Sequence, residues 1–219
     1  MTQGEVGHLD HSHPVQRYYA LHSKIYDATR WSFLFGRNEI LRRVKASHTP
    51  TNILEVGCGT GRNLAVLRRL FPNAALTGVD LSPHMLEIAR RRPELRDGGA
   101  KFIGGAYERP VHPGGLAFDL VLFSYALSMF NPGWCTAISS AAGDLVEDGR
   151  IAVVDFSASR FPAFKRWMGV NHVQMDGHLW PALRDRFLPI VDDQFNAYGG
   201  VWKYGMFIGV RPPEKKENS

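Results

Sequence analysis

The stretch LEVGCGTGRN, Leu54 to Asn63, decides how the rest of the chain is read. Its opening residues belong to a short apolar run, Asn52-Ile53-Leu54-Glu55-Val56, and its closing ones begin a helical pattern, RNLAVLRRLF. Between them stand Gly57, Gly59 and Gly61. Without a Cβ, glycine lets the backbone of such a loop approach a ligand closely, with the amino end of the next helix beneath it. A strand, a glycine loop and a helix in this order begin an alternating α/β domain.

Downstream the alternation continues. ALTGVD reads as a second strand, HMLEIARRR as a helix, AKFIGG as a third strand and FDLVLFSY as a fourth. A helix near CTAISSAAGDLVE leads through the turn Asp148–Gly149 to a fifth strand, RIAVVDF. Strands this continuously apolar predict a parallel sheet covered by helices on both faces. FNAYGGVWKYGMFIGV breaks the pattern and reads as two strands around Gly199–Gly200, an antiparallel pair at the sheet edge.

A chain of 219 residues suits one sizeable domain, and 44% hydrophobic with 21% charged residues is ordinary globular composition. Two cysteines, Cys58 and Cys135, make no disulfide framework. The polar opening MTQGEVGHLDHSHP lacks the charged start and apolar core of a signal peptide. LAFDLVLFSYALSMF contains Asp119 and falls short of the ~20 residues that span a bilayer. A cytoplasmic protein is expected. Lys and Arg number 26 against 21 Asp and Glu, a basic excess that favours anionic partners. Residues 1–14 and 212–219 read as disordered ends. His172 and His178 have no cysteine or carboxylate at ligand spacing, so no metal is expected.

Spacing separates two kinds of nucleotide loop. A dinucleotide fingerprint needs its third glycine where this chain has Arg62. Gly57-x-Gly59-x-Gly61, preceded by Glu55 and followed by Asp80 closing the second strand, resembles motif I of the class I S-adenosylmethionine (SAM) methyltransferases. The resemblance covers about residues 50–156. It implies a Rossmann-like, mostly parallel seven-stranded sheet with an antiparallel edge strand, over residues 49–211, and SAM as cofactor. Glu55 and the loop Gly57, Cys58, Gly59 and Gly61 would hold the methionine part, Asp80 the ribose, and Leu81 would flank the adenine. Gly105 stands where such enzymes place an acidic adenine ligand, which leaves the backbone at Ala106 or Tyr107 for that task. Ser124 and Tyr125 would line the reaction centre. FNPGW, Phe130 to Trp134, lacks the second proline of the nucleobase-amine motif and reads as a turn, so nucleic acid is not an expected partner.

YYALHSKIYDATRWSFLFGR, Tyr18 to Arg37, remains. On a helix Tyr18, His22 and Tyr26 share one face. Aromatic rings with polar tips suit a half-wet pocket wall better than a core. Residues 15–48 are therefore expected to form a helical lid. This stretch, with NHVQMDGHL and AYGGVWKYGMFIG, resembles the bacterial betaine-lipid synthase N-methyltransferases, and also the bacterial phosphatidylethanolamine N-methyltransferases. The first resemblance implies three SAM-dependent methylations of diacylglyceryl-homoserine. A small soluble amine as acceptor, and a SAM-binding protein without catalysis, stay open beside it.

An alkylammonium with a pKa near ~10 must lose a proton before it attacks a methyl group. Tyr19, His22, Tyr26 and Tyr125 are the candidates to position the amine and take that proton. Aromatic faces attract the growing cation by roughly 0.5–2 kcal/mol each, which adds Tyr18 and Tyr198 as substrate contacts. Arg30, His172 and Lys203 are candidate partners for the homoserine carboxylate. A lipid headgroup amine as substrate fits a peripheral contact with an anionic membrane surface, through Arg42–Arg43, Arg68–Arg69 and Arg90–Arg91–Arg92.

Overall fold

The computed structural model describes residues 34–112, 117–170 and 172–213. Tyr18, Tyr19, His22, Tyr26 and Arg30 lie outside them, as do the proposed lid up to residue 33 and both chain ends.

The sheet domain begins at Gly36. Helix α1, Arg37–Ser47, buries Ile40, Leu41 and Val44. Gly36 precedes it at φ 78°, and a Cβ there would meet the Tyr204 ring at 2.8 Å and Val154 at 3.2 Å. Residues 37–47 thus pack one helix face into the core.

Strand β1, Asn52–Val56, leads through the glycine loop into α2, Arg62–Leu70. Then come β2, Ala75–Asp80, and α3, Pro83–Arg90, where Ser82 caps the helix and Pro83 occupies its first turn. Strands β3, Lys101–Gly104, and β4, Phe118–Ser124, are followed by α4, Trp134–Asp144, and β5, Leu145–Ala158. The expected turn appears as an irregular passage of β5, with Asp148 at φ 61° and pairing shifted from Leu145↔Phe118 to Arg150↔Leu120. Helices α5, Pro162–Val170, and α6, Leu179–Arg186, were not foreseen. Strands β6, Leu188–Ala197, and β7, Trp202–Val210, close the chain around Gly199–Gly200.

The seven strands lie in the order β3-β2-β1-β4-β5-β7-β6. Neighbours from β3 to β5 pair in parallel, and β7 runs against both β5 and β6. The expected antiparallel strand is present, one place in from the edge, with β6 outermost. Ile53, Leu54, Val56, Leu120, Val121, Leu122 and Phe123 are all fully buried, which accounts for the unbroken apolar runs. From β1 the chain winds outward to β3, then crosses back to β4 on the other side of β1. That reversal opens a crevice at the carboxyl ends of β1 and β4, where ligands bind in folds of this type.

Candidate active site

The glycine loop is held by its neighbours on every side. The N–H groups of Gly57 and Cys58 both donate to the Val79 carbonyl, at 2.8 and 3.0 Å, which ties the loop to β2. Gly57, Gly59 and Gly61 have φ values of 71°, 52° and 71°, all in the left-handed region. A Cβ on Gly57 would stand 2.6 Å from the Ala126 methyl, and one on Gly61 2.9 Å from Leu95. Gly59 differs, because nothing lies within 4 Å of its missing Cβ. Its strain comes with open space, as a ligand cradle requires.

Asp80 closes the loop from below. Its carboxylate accepts the Gly59 N–H at 2.7 Å and the Ser82 N–H at 2.9 Å. A carboxylate has about four acceptor sites, so two remain for ribose hydroxyls. Leu81 beside it is 74% exposed, an apolar side chain waiting for a flat partner. Gly105 donates to the Asp80 carbonyl at 3.1 Å, and no atom lies within 4 Å of its missing Cβ either. Ala106 next to it is exposed.

Glu55 is only 1% exposed. Asn63, from the first turn of α2, donates to its Oε1 at 2.6 Å, while Oε2 is buried without a partner among the described residues. Burial raises its pKa to about 7, against the pull of Asn63 and Arg37. An orphaned buried carboxylate oxygen under an open glycine loop fits the amino end of a methionine-like ligand. Cys58 is buried against Gly78, and burial raises its thiol pKa, so it packs the loop as a neutral group. Gly59, Asp80, Leu81, Glu55 and Gly105 together fit the chemistry of S-adenosylmethionine.

Tyr107 departs from expectation. It is 5% exposed and its hydroxyl donates to Asp144 at 2.5 Å, and Asp144 also accepts the Val111 N–H. The phenol is committed to the core, which leaves the backbone at Gly105 and Ala106 to face the adenine position. Ser124 is buried at the carboxyl end of β4, its Oγ without a partner among the described residues.

Tyr125 sits at φ 56°, 2% exposed, its ring edge-on to Phe156 at 4.7 Å. Burial and nearby Asp155 push its pKa well above the ordinary phenol value. It therefore stays a neutral phenol, able to orient an amine but not to remove its proton as a phenolate.

Asp155 was missed by the sequence reading, although an acid inside RIAVVDF is a signal. It is fully buried, and burial raises its pKa to about 6. It accepts the Ser128 N–H at 3.1 Å and the Phe156 N–H at 2.8 Å. Those bonds fix the segment Ala126–Asn131, which touches the glycine loop through Ala126 and Phe130.

On its other side the same segment borders a groove of about 460 Å³, lined by Met129, Asn131, Lys165, His172, Gln174 and Asp176 among others. Asn131 donates to the Ser128 carbonyl at 2.8 Å, and Ser128 O accepts the Gln174 N–H at 2.8 Å. His172 thus lies in a pocket with a lysine and a carboxylate that the sequence reading did not name. Tyr198 is 54% exposed with its ring against Trp202 at 4.8 Å, and exposed Lys203 stands where β7 meets the carboxyl end of β5. At ~4.8 Å per strand, three steps put β7 roughly 14 Å from β1, so neither reaches the glycine loop.

The arginine clusters are engaged within the chain. Arg42 and Arg43 pair with Glu39, and Arg43 also with Asp193 at 2.6 Å. Arg68 donates to the Pro72 and Ala74 carbonyls, Arg69 pairs with Glu94 and Arg91 with Glu87. Arg92 donates to Thr60 O, and Arg90 lies 5.5 Å from the Phe102 ring centre. Among the described residues, no helix is long and apolar enough to cross a membrane.

Residues 53–149 match the family described as "Methyltransferase domain". A malonyl-[acyl-carrier protein] O-methyltransferase of Anoxybacillus flavithermus is 26% identical over 65% of this chain and 65% of its own length. A demethylmenaquinone methyltransferase of Thermus thermophilus is 26% identical over 82% of this chain and 77% of its own. Among solved structures, N-methyltransferase NodS from Bradyrhizobium japonicum, in complex with S-adenosyl-L-homocysteine, superposes with a TM-score of 0.65. It is 19% identical, covering 81% of this chain and 86% of that one, a likeness of fold. Residues 53–149 are thus a methyltransferase domain, and its strand order and glycine loop fit S-adenosylmethionine as the cofactor.

Proposed function

We propose that the enzyme methylates a lipid headgroup amine, with diacylglyceryl-homoserine as the acceptor that fits best and its trimethylated betaine lipid as product. The observation that carries this reading is the mixed charge of the groove. Lys165 offers a cationic partner for a carboxylate, His172 adds a hydrogen-bonding ring, and Asp176 offers an anionic partner for an ammonium, in one pocket beside the loop that touches Gly57. A homoserine headgroup carries both charges on one small molecule.

Bound S-adenosylmethionine supplies an electrophilic sulfonium methyl group. The chain's own part is alignment, since holding two reactants in attack geometry accounts for much of the barrier reduction in such displacements. Gly59, Glu55 and Asp80 fix one reactant, and the groove fixes the other. The ammonium loses its proton to water at the open groove before attack, and Tyr125 stays neutral throughout.

A panel of acceptors tests the reading. Purified protein with S-adenosylmethionine is offered diacylglyceryl-homoserine, phosphatidylethanolamine, free homoserine and a malonyl thioester, and products are followed by mass spectrometry. Successive methyl additions that require both diacyl chains and the homoserine carboxylate are expected. Faster turnover of phosphatidylethanolamine or of free homoserine would overturn the acceptor assignment. Methylation of the malonyl carboxyl instead would move the enzyme to the O-methylating activity named for the Anoxybacillus relative.

A further inference from the structure

Asp155 stands near the carboxyl end of β5, fully buried, and a buried carboxyl is tolerated only where it is hydrogen-bonded. One of its oxygens accepts the Phe156 N–H at 2.8 Å, a bond within β5 itself. The other accepts the Ser128 N–H at 3.1 Å and ties β5 to a residue 27 positions away. Ser128 is the middle of a tight turn, Leu127–Met129. The Met129 N–H closes that turn on the Ala126 carbonyl at 3.0 Å, and the Phe130 N–H donates to the Leu127 carbonyl at 3.0 Å. Just ahead, the Tyr125 N–H donates to the Val154 carbonyl at 2.8 Å, so the segment is pinned to β5 at two adjacent residues. An apolar side chain would fill the Asp155 position without the cost of burying a carboxyl. What the carboxyl adds is direction, because its bonds hold the turn in one place.

The pinned segment touches both halves of the site. A Cβ on Gly57 would meet the Ala126 methyl at 2.6 Å and the Phe130 ring at 3.7 Å, so the segment lies hard against the glycine loop. Met129 and Asn131 line the groove. The Ser128 carbonyl accepts from the Asn131 side chain and from the Gln174 N–H, both at 2.8 Å, and the Gln174 side chain donates to Asp176. Asp176 in turn pairs with Ala158, farther along the same strand as Asp155. Loop and groove thus take their spacing from one turn, and that turn takes its place from Asp155.

We propose that Asp155 is a positioning residue for methyl transfer, holding the turn Leu127–Met129 that spaces the glycine loop from the acceptor groove. Attack on a methyl group needs the reacting atoms about 3–3.5 Å apart, and a misplacement of about 1 Å costs roughly a hundredfold in rate. A segment that touches both sites is where such an error would arise. The inference deepens the reading of the groove as the acceptor site and rests on it.

The test uses the full chain. Asp155→Asn keeps the shape, but its amide has one acceptor oxygen where the carboxylate has two, so Ser128 or Phe156 loses its bond. Affinity for S-adenosylmethionine by calorimetry should stay within about twofold, since Glu55, Gly59 and Asp80 are untouched, and the same titration counts intact sites. On the acceptor of the panel that wild type methylates fastest, kcat per intact site should fall by about tenfold or more, with KM changing less. Hydrogen exchange gives a reading that needs no acceptor: the Ser128 amide should exchange about tenfold faster in the variant. Ala126→Gly opens the contact with Gly57 while leaving the bonds of Asp155 in place, and it should lower kcat as well. It carries the rate test if Asp155→Asn does not fold. Wild-type kcat per site in the folded Asp155→Asn protein, or in Ala126→Gly alone where the first variant does not fold, would overturn the proposal. So would unchanged exchange at Ser128, and a lower melting temperature with unaltered kcat would leave Asp155 a packing residue. A loss of kcat in Asp155→Asn beside an unchanged KM in Lys165→Met strikes the groove as acceptor site and leaves the hold of Asp155 on the loop standing.

Discussion

Asn63 donates to one oxygen of Glu55 at 2.6 Å and leaves the other buried without a partner among the described residues, directly beneath the glycine loop. The pairing joins the end of β1 to the first turn of α2, so the loop between them is braced from inside. It also leaves a carboxyl group whose charge the fold disfavours.

That disfavour has a pH signature. Glu55 titrates at about 7 in the folded chain, against 4.5 for an ordinary glutamate. Folded protein holds this proton longer than unfolded protein, so the group's contribution is intact below about pH 4.5 and lost as pH rises to about 7. The loss has an upper bound of about 3 kcal/mol. In Glu55→Gln, the amide oxygen still accepts from Asn63 and nothing titrates. Thermal melts across this range should show a smaller decline for the variant than for wild type. Parallel curves would mean that Glu55 titrates normally.

Asp80 has two tasks, holding the loop at Gly59 and Ser82 and offering its remaining lone pairs to ribose. Asp80→Ala removes both. Charge-assisted hydrogen bonds are worth about 1.5–3 kcal/mol, so affinity for S-adenosylmethionine should fall by about thirtyfold or more. Calorimetry on a folded variant with unchanged affinity would remove Asp80 from the site.

Two glycines of one loop should fail differently. In Gly57→Ala the new methyl collides with Ala126 at 2.6 Å, at φ 71°, so both stability and cofactor binding should drop. In Gly59→Ala the methyl meets nothing within 4 Å, and only the strain of φ 52° remains, about 1–2 kcal/mol. Its melting temperature should fall slightly while affinity for S-adenosylmethionine collapses, because the methyl occupies the cradle. A Gly59→Ala protein that binds the cofactor normally would show that the open space lies elsewhere than the ligand.

The glycine loop was legible in the sequence because its left-handed backbone and the close approaches at Gly57 and Gly61 admit few residue types there. The central strands were legible because burial on both faces leaves continuous apolar runs. Helix α5 was not, since PAFKRWMGV buries only Met168 and points much of its apolar surface outward. Tyr107 could not be placed either: its partner Asp144 stands 37 residues away. Glu39 stands one helical turn from Arg42 and Arg43, but the partners Asp193 of Arg43 and Glu94 of Arg69 become neighbours only through folding. The groove itself was not legible, because Met129 and Asn131 meet Lys165, His172 and Asp176 only once the chain after α5 returns to bond Gln174 to Ser128.

That groove makes the last prediction. If Lys165 holds the acceptor's carboxylate, Lys165→Met keeps the aliphatic stem and removes the charge. KM for diacylglyceryl-homoserine should rise by about tenfold, since an exposed charge-assisted contact is worth about 1.5 kcal/mol, while kcat changes little. Phosphatidylethanolamine, which has a phosphate at another distance from its amine, should be affected less if it is a poor acceptor at all. Lys165→Arg should recover part of the loss, because guanidinium also pairs with carboxylate. Asp176→Asn should behave differently, weakening the hold on the ammonium and raising KM for every amine in the panel. Steady-state rates on these three variants separate the roles. Equal KM values for wild type and Lys165→Met would place the carboxylate partner outside the groove.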